Sequence, residues 1–410
     1  MTSRNTEFQT SGLPRLDLAT VERQVQQTGA YSVLEWLLES ALLPYPAYER
    51  WRQGAIPCLE AAIEAPAEHW AQRLQQGEAH ARSLHLAHEA QTYFDWRPGH
   101  SEHALALSPD PARRALLAQR WARPADLPQL DLFLDNGASA AENDLHRALA
   151  ARNAAGAAQS YERLCRIAPN HCGLGEYEVL VLYARHLQQV AAIPPEACAE
   201  EMEGLLEEIA PLAHARLRAR ARDYLAPAWR RLAGALPRDR FDPGRPDLHA
   251  SCAELRIPDW DAVIASVQAV PDHAEHAALL SRLALALQHR KGHEAAMLTW
   301  ARCSELAPDP SPADLTRDAS PRLYRHALAF EDLDEPLEPS DFPAWLLLQE
   351  PGLLHYLNRP TSPVPVGATF LAMAELLQTR ARGADEVAAR RRLQELRPPL
   401  LRAYLNRGSQ

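Results

Sequence analysis

Residues 281–308 read SRLALALQHRKGHEAAMLTWARCSELAP. Leu283 and Leu287 recur at helical spacing before the Lys291-Gly292-His293 turn, and Ala296, Trp300 and Cys303 recur after it. That pattern predicts two helices sharing one apolar face. Pro308 stops the second helix, because proline has no backbone N–H to continue the hydrogen-bond ladder. The unit is a helical hairpin, a packing element that carries no chemistry of its own.

The rest of the chain has the same texture. Of 410 residues, 47% are hydrophobic, which excludes wholesale disorder and supplies a sizeable core. Ala and Leu dominate while Ile, Val and Thr are sparse, a balance that favours helix over sheet. The 33 prolines fall mainly between periodic segments and mark helix boundaries. The expected fold class is all-α, an array of antiparallel helical hairpins with irregular connections, with essentially no sheet. At ordinary helix lengths that means about fifteen to twenty helices.

In order, helices are predicted from Thr20 as cap, over Tyr31–Leu43, Ala55–Ala65, Ala67–Tyr93 and Pro111–Trp121. Ser139 and Glu142 have capping-box spacing at the head of a further helix. The next helices lie either side of a turn at Asn153–Gly156, then over Leu174–Val190, Glu196–Ile209 and His214–Leu236, the last kinked at Pro227. Pro237–Pro246 is dense in proline and charge and reads as a linker. A hairpin over Leu248–Ala269 turns at Ile257-Pro258-Asp259, ahead of the hairpin quoted first. Residues 331–341 hold six acids and no base, the signature of a solvated loop. Phe342–Leu357, Thr369–Gln378 and Asp385–Leu405 close the chain. The divisions are an N-terminal helical region (1–137), a hairpin region (138–240), a second hairpin region (247–330) and an acidic loop with closing helices (331–410).

Two hairpins share a register. Ala157, Tyr161, Leu164 and Pro169 in the earlier one correspond to Ala296, Trp300, Cys303 and Pro308 in the later one. A small residue, an aromatic four later and a proline eight after that resembles the second helix of tetratricopeptide repeats. Leu280, Leu283, Ala284 and Leu287 sit where that family's first helix places its large-large-small-large set. The alanine lets helices approach, the aromatic fills the gap to the next hairpin, and the proline ends the unit. The earlier hairpin departs from the pattern at Ala141 and Asp144, and no 34-residue period runs through the chain. The resemblance implies an α-solenoid whose first helices line a concave surface. That surface would hold Glu142, His146 and Leu149 in one hairpin and Ser281, Leu285, Gln288 and His289 in the other.

No Walker A, GxGxxG, GxSxG or DxDxDG motif occurs, which weakens NTPase, dinucleotide and hydrolase readings. The densest ionisable group is His80, His85, His88 and Glu89. His85 and His88, three apart, would share a helix face as metal-binding pairs sometimes do. HExxH is absent, and a solvated helix explains the group without a metal. His171-Cys172 lies in a turn with no third group to orient a catalytic pair. The basic runs His214–Arg222 and Arg390–Arg392 are compatible with phosphate contact, but interspersed Leu and Ala argue for the outer faces of packed helices. The net charge of -10 argues against a nucleic acid partner. The six cysteines form no CxxC pair and fit reduced thiols of a cytoplasmic protein. The N-terminus lacks a signal-peptide core, and no apolar run reaches membrane length.

The expected function is a non-catalytic intracellular adaptor or scaffold for a protein or peptide partner, without cofactor or metal, with a homo-oligomer left open. Phe342–Leu357 is a second candidate contact, or simply core. The rival is an all-α enzyme using His80, His85, His88 and Glu89.

Overall fold

The computed structural model describes residues 18–97, 100, 103–122, 135–189, 192–290, 292–307, 311–333, 335–357 and 363–407. The chain is mostly helical. It divides into two compact units, residues 1–235 with 256–259, and residues 236–255 with 260–410. No helix among the described residues is long and apolar enough to cross a membrane. Lys291, Pro308 and most of 124–137 lie outside the described residues.

The first unit adds one small sheet to an otherwise helical chain. Three short antiparallel strands, β1 (Ala30–Ser32), β2 (Ala87–Ala90) and β3 (Gln119–Ala122), pair in the order β1-β3-β2. Trp121 in β3 faces Tyr31 on one side and His88 on the other. Each strand truncates an expected helix. Thr20 is not a cap, because the first helix begins at Leu18; it ends at Thr28, where Gly29 adopts φ +76° and returns its N–H to the Val25 carbonyl. The segment expected to be helical from Tyr31 therefore starts at Val33, capped by Ser32. The helix expected through Tyr93 stops at Ser83, because His85 adopts φ +56° and the Leu86 N–H closes back on the Ala81 carbonyl. Histidine is among the residues that tolerate this left-handed conformation. Residues 59–62 form only a short 3-10 turn.

Beyond the sheet, the helix Asp135–Ala150 begins before Ser139, so Ser139 sits inside it and forms no capping box. The next helix is Ala154–Ile167, entered through Asn153, whose side chain accepts from the Gly156 N–H at 2.9 Å. A Cβ on Gly156 would lie 2.7 Å from the Asn153 amide nitrogen, so any larger residue there would make the capping side chain shift. Arg152, at φ +59° in the turn, sends its guanidinium over Trp96 (4.4 Å) and onto buried Glu49. Around it, Tyr45 and Tyr48 donate to the Asp223 carboxylate at 2.9 and 3.0 Å, and Arg222 pairs with Glu35. Buried charges persist here because each is paired and hydrogen-bonded. Leu174–Gln189 follows as expected. The helix from Cys198 passes through a π-helical turn, Leu205–Ile209, and continues as Ala210–Leu217. It breaks at Arg218, where φ is +51°, and not at Pro227, which lies within the unbroken helix Ala221–Ala235.

The second unit holds the hairpin that opened the sequence reading, Ala277–His289 and His293–Leu306. Ala296, Trp300 and Cys303 are buried; Leu280 and Ala284 share a core cluster with Trp300 and Cys303, while Leu283 is buried in a separate one with Val263 and Val267. The two hairpins match around their turns. Ala150 and His289, Ala154 and His293, and Ile167 and Leu306 each lie 139 positions apart, whereas the first helices begin out of step, at Asp135 and Ala277. The turn bonds coincide too: Asn153 N–H to Ala148 O and Gly292 N–H to Leu287 O, both 2.9 Å.

Phe342–Gln349 is buried on all sides from Phe342 to Leu348 and belongs to the core, not to a contact surface. The acidic stretch 331–341 is no free solvated loop. Asp341 is 2% exposed and receives Arg397, which also reaches Glu338, while Arg402 pairs with Glu335. Arg397 interrupts the expected long closing helix, giving Val387–Leu396 and Pro398–Arg407.

Candidate functional site

The amphipathic pattern of Asp135–Ala150 buries Ala141, Leu145 and Leu149 and leaves Glu142 and His146, one turn apart, half-buried on an adjoining face. Leu149 is 1% exposed, so its side chain belongs to the core of the hairpin. Glu142 and His146 meet two residues from elsewhere in the chain. Tyr177, on Leu174–Gln189, donates its hydroxyl proton to Glu142 Oε1 at 2.5 Å. That hydroxyl has one proton, so His146 Nε2, 2.7 Å away, donates to the tyrosine oxygen and its Nδ1 is left unprotonated. His171, in the turn after Ala154–Ile167, accepts the Gly173 N–H on Nδ1 at 3.1 Å. Its ring proton is therefore on Nε2, 3.6 Å from Glu142 Oε1. One carboxylate thus gathers a tyrosine and a histidine, and the tyrosine holds a second histidine.

Arginines edge this cluster. Arg216 pairs with Glu176 and lies over the Tyr177 ring at 5.9 Å. His146 is held below the ordinary histidine range, first by burial, with Glu142 opposing and the charges of Arg220, Arg218 and Arg216 adding to the depression. The Tyr177 hydroxyl is pushed well up by burial and by Glu142, the reverse of an activated phenolate. Tyr177 is 1% exposed, which also keeps it from a substrate. Cys172 is exposed, and its neighbour His171 faces Glu142.

In the later hairpin, Ser281 bonds to its own helix at the Ala278 carbonyl, and Leu285 packs against the unit's core. Gln288 is half-buried, and His289 stacks on Trp260 with ring centres 4.1 Å apart and planes 6° apart. Burial lowers the His289 pKa. The signature residues Ala157 and Leu164 are buried, Tyr161 is only half-buried, and Pro169 is exposed just past the helix end.

The histidine group proposed for the rival enzyme is dispersed. His80 bonds Glu22 at 3.1 Å from the end of its helix, His85 is in the turn, His88 leans on Trp121, and Glu89 pairs with Arg120. His85 and His88 share no helix face, because a helix end and a strand replace the expected continuous helix. Among the described residues, no group of three His, Cys, Asp or Glu side chains is placed to hold a metal.

Sequence reading missed Tyr177 as a partner of Glu142, 35 positions away, and Arg218 as a strained residue. Nor does the sequence single out Glu201, which Tyr183 (2.7 Å) and Arg231 (3.0 Å) hold beside a shallow depression over the π-helical turn. Comparison with family models, with curated proteins and with solved structures returned no match for this chain.

Proposed function

We propose that this is a non-catalytic interaction protein, an adaptor or scaffold built from tetratricopeptide-like hairpins that binds a protein or peptide partner in the cytoplasm. The observation that carries the reading is the shared register of the two hairpins, whose turns, turn bonds and second helices agree at a constant spacing of 139 residues. Reuse of one packing unit is how solenoids generate extended binding surfaces. The first helices keep polar, half-buried side chains off the core: Glu142 and His146 in one hairpin, Ser281 and Gln288 in the other. Among the described residues, the raised pKa of the Tyr177 hydroxyl and the dispersal of the histidine group do not favour the enzyme alternative.

The test is affinity capture from native extract, quantified by mass spectrometry, with wild type, Glu142→Gln/His146→Gln and Ser281→Glu/Gln288→Glu. Circular dichroism and the urea midpoint confirm that each variant is folded. The reading expects one partner set, recovered by wild type and depleted by at least one double variant. Identical recovery by all three proteins, or recovery of none, overturns it.

A further inference from the structure

The sequence from His214 to Arg222 places arginine at 216, 218, 220 and 222 with no acid among them. In a continuous α-helix, positions 216 and 218 would point about 200° apart, on opposite sides. The chain instead breaks at Arg218, with φ +51° and ψ −121°, and runs through the 3-10 turn Arg218–Arg220 into the next helix. Only glycine adopts that backbone without strain, so a non-glycine residue there points to a role for its side chain. The turn so formed packs against the helix Asp135–Ala150 that carries His146, and the charges of Arg216, Arg218 and Arg220 add to the lowering of the His146 pKa by burial.

Their partners are unequal. Arg216 is bound to Glu176, and Arg222 turns inward to Glu35. Arg218 and Arg220 form no ion pair among the described residues, and both are exposed. The Arg220 pKa is lowered, first by desolvation and then by the charges of Arg147 and Arg120, with Asp223 opposing them. In a chain with a net charge of -10, this edge therefore concentrates positive charge that the fold itself does not neutralise. Beside it stands the unprotonated Nδ1 of His146, an imidazole whose other nitrogen is already fixed by Tyr177.

We propose that Arg218 and Arg220, with Arg216 and His146 at their edge, form a binding site for a phosphate-type oxyanion. Guanidinium groups suit that ligand because their planar N–H donors match its oxygens in pairs. An anion seated there neutralises the arginine charges and allows His146 to take up a proton and donate from Nδ1. The groups facing His146 are Glu142 on its own helix, Tyr177, His171 beyond Glu142, and Arg216, Arg218 and Arg220. The ligand is a phosphorylated side chain of the partner or free phosphate; the chemistry of the site is the same for both. This inference deepens the interaction reading by naming the chemistry of one contact.

The test uses Arg218→Gly and Arg220→Ala in the full-length chain. Glycine keeps the left-handed backbone and removes the guanidinium, so Arg218→Gly should melt no lower than wild type. Inorganic phosphate is titrated at constant ionic strength, following the His146 and Tyr177 ring resonances. Wild type should show saturable shifts, and each variant should bind about ten- to a hundredfold more weakly, the loss expected for a charge-assisted hydrogen bond. A phosphoserine peptide binding more tightly than inorganic phosphate assigns the site to a modified side chain; equal affinity assigns it to free phosphate. No saturable shift in wild type, or undiminished binding by Arg218→Gly, overturns the proposal. Either result leaves the capture experiment with Glu142 and His146 variants to stand or fall on its own.

Discussion

The hairpins at 135–167 and 277–306 are the same unit in register and different units in burial. In the earlier one, the second helix buries a single stripe, Ala154, Ala157, Ala158 and Leu164. In the later one, Ala296 through Ala301, Cys303 and Ser304 are all buried, so the matching helix is enclosed on nearly every side. The aromatic position shows the contrast: Trp300 is 3% exposed, whereas Tyr161 is half-buried. A repeat signature therefore specifies how two helices pair, and leaves open how much of the pair is covered. Polar side chains gather into a cluster on the first helix of the earlier hairpin, at Glu142 and His146, whereas the second helix of the later hairpin contributes mainly core.

The largest test of this contrast is Trp300→Ala against Tyr161→Ala. Removing a buried large aromatic should cost about 3–5 kcal/mol, and removing the half-buried tyrosine about 1 kcal/mol. Equal shifts in the urea denaturation midpoint would mean that the two positions are covered alike.

The turns offer a finer comparison. Asn153 caps its helix through its side chain, and Gly292, its counterpart, caps without one. Asn153→Ala should destabilise by about 1 kcal/mol, whereas Gly292→Asn should stabilise by a few tenths, since glycine is nearly as good a cap as asparagine. Thermal melts of the two variants check both signs. A loss on Gly292→Asn would show that crowding at the Leu287 carbonyl, 3.4 Å from the new Cβ, outweighs the cap.

The smallest effect is on pH. His146 and His289, each on the first helix of its hairpin, both have pKa values lowered by burial. A base with a lowered folded pKa takes up its proton more readily when unfolded. Stability is then full above the unfolded value of about 6.5 and falls as acid is added through and below it. His146→Gln and His289→Gln should each reduce the difference in denaturation midpoint between about pH 7.5 and about pH 5. A difference as large as in wild type would remove that histidine from the account.

Much of the helical organisation could be read from the sequence because helical periodicity is a local signal. Leu283, Leu287, Ala296, Trp300 and Cys303 lie within one short stretch, and their spacing alone places both helices and the turn. The strands left no such trace. β2 is AHEA, exposed at all four positions, and β1 is three residues long, too short to display alternation. The end of the helix before β2 rests on a left-handed His85, a conformation that composition does not announce. The candidate site was half legible. Glu142 and His146 follow from the hairpin register, but Tyr177 and the arginine edge arrive from other helices. The acidic stretch misled for the same reason, since its arginine partners lie 56 to 67 positions further on.

That long-range closure sets a timetable for synthesis. The apolar run Phe342–Leu348 has no polar side, and part of its cover is Leu400, Leu401 and Tyr404 in the same core. At about 5–20 residues per second, translation from 348 to 404 takes roughly 3–11 s. For that interval the nascent chain carries seven consecutive apolar residues, Pro343 among them, whose lid has not yet been made. The C-terminal unit is thus the part of this protein whose yield in a cell should depend most on chaperone capacity and on the speed of the ribosome.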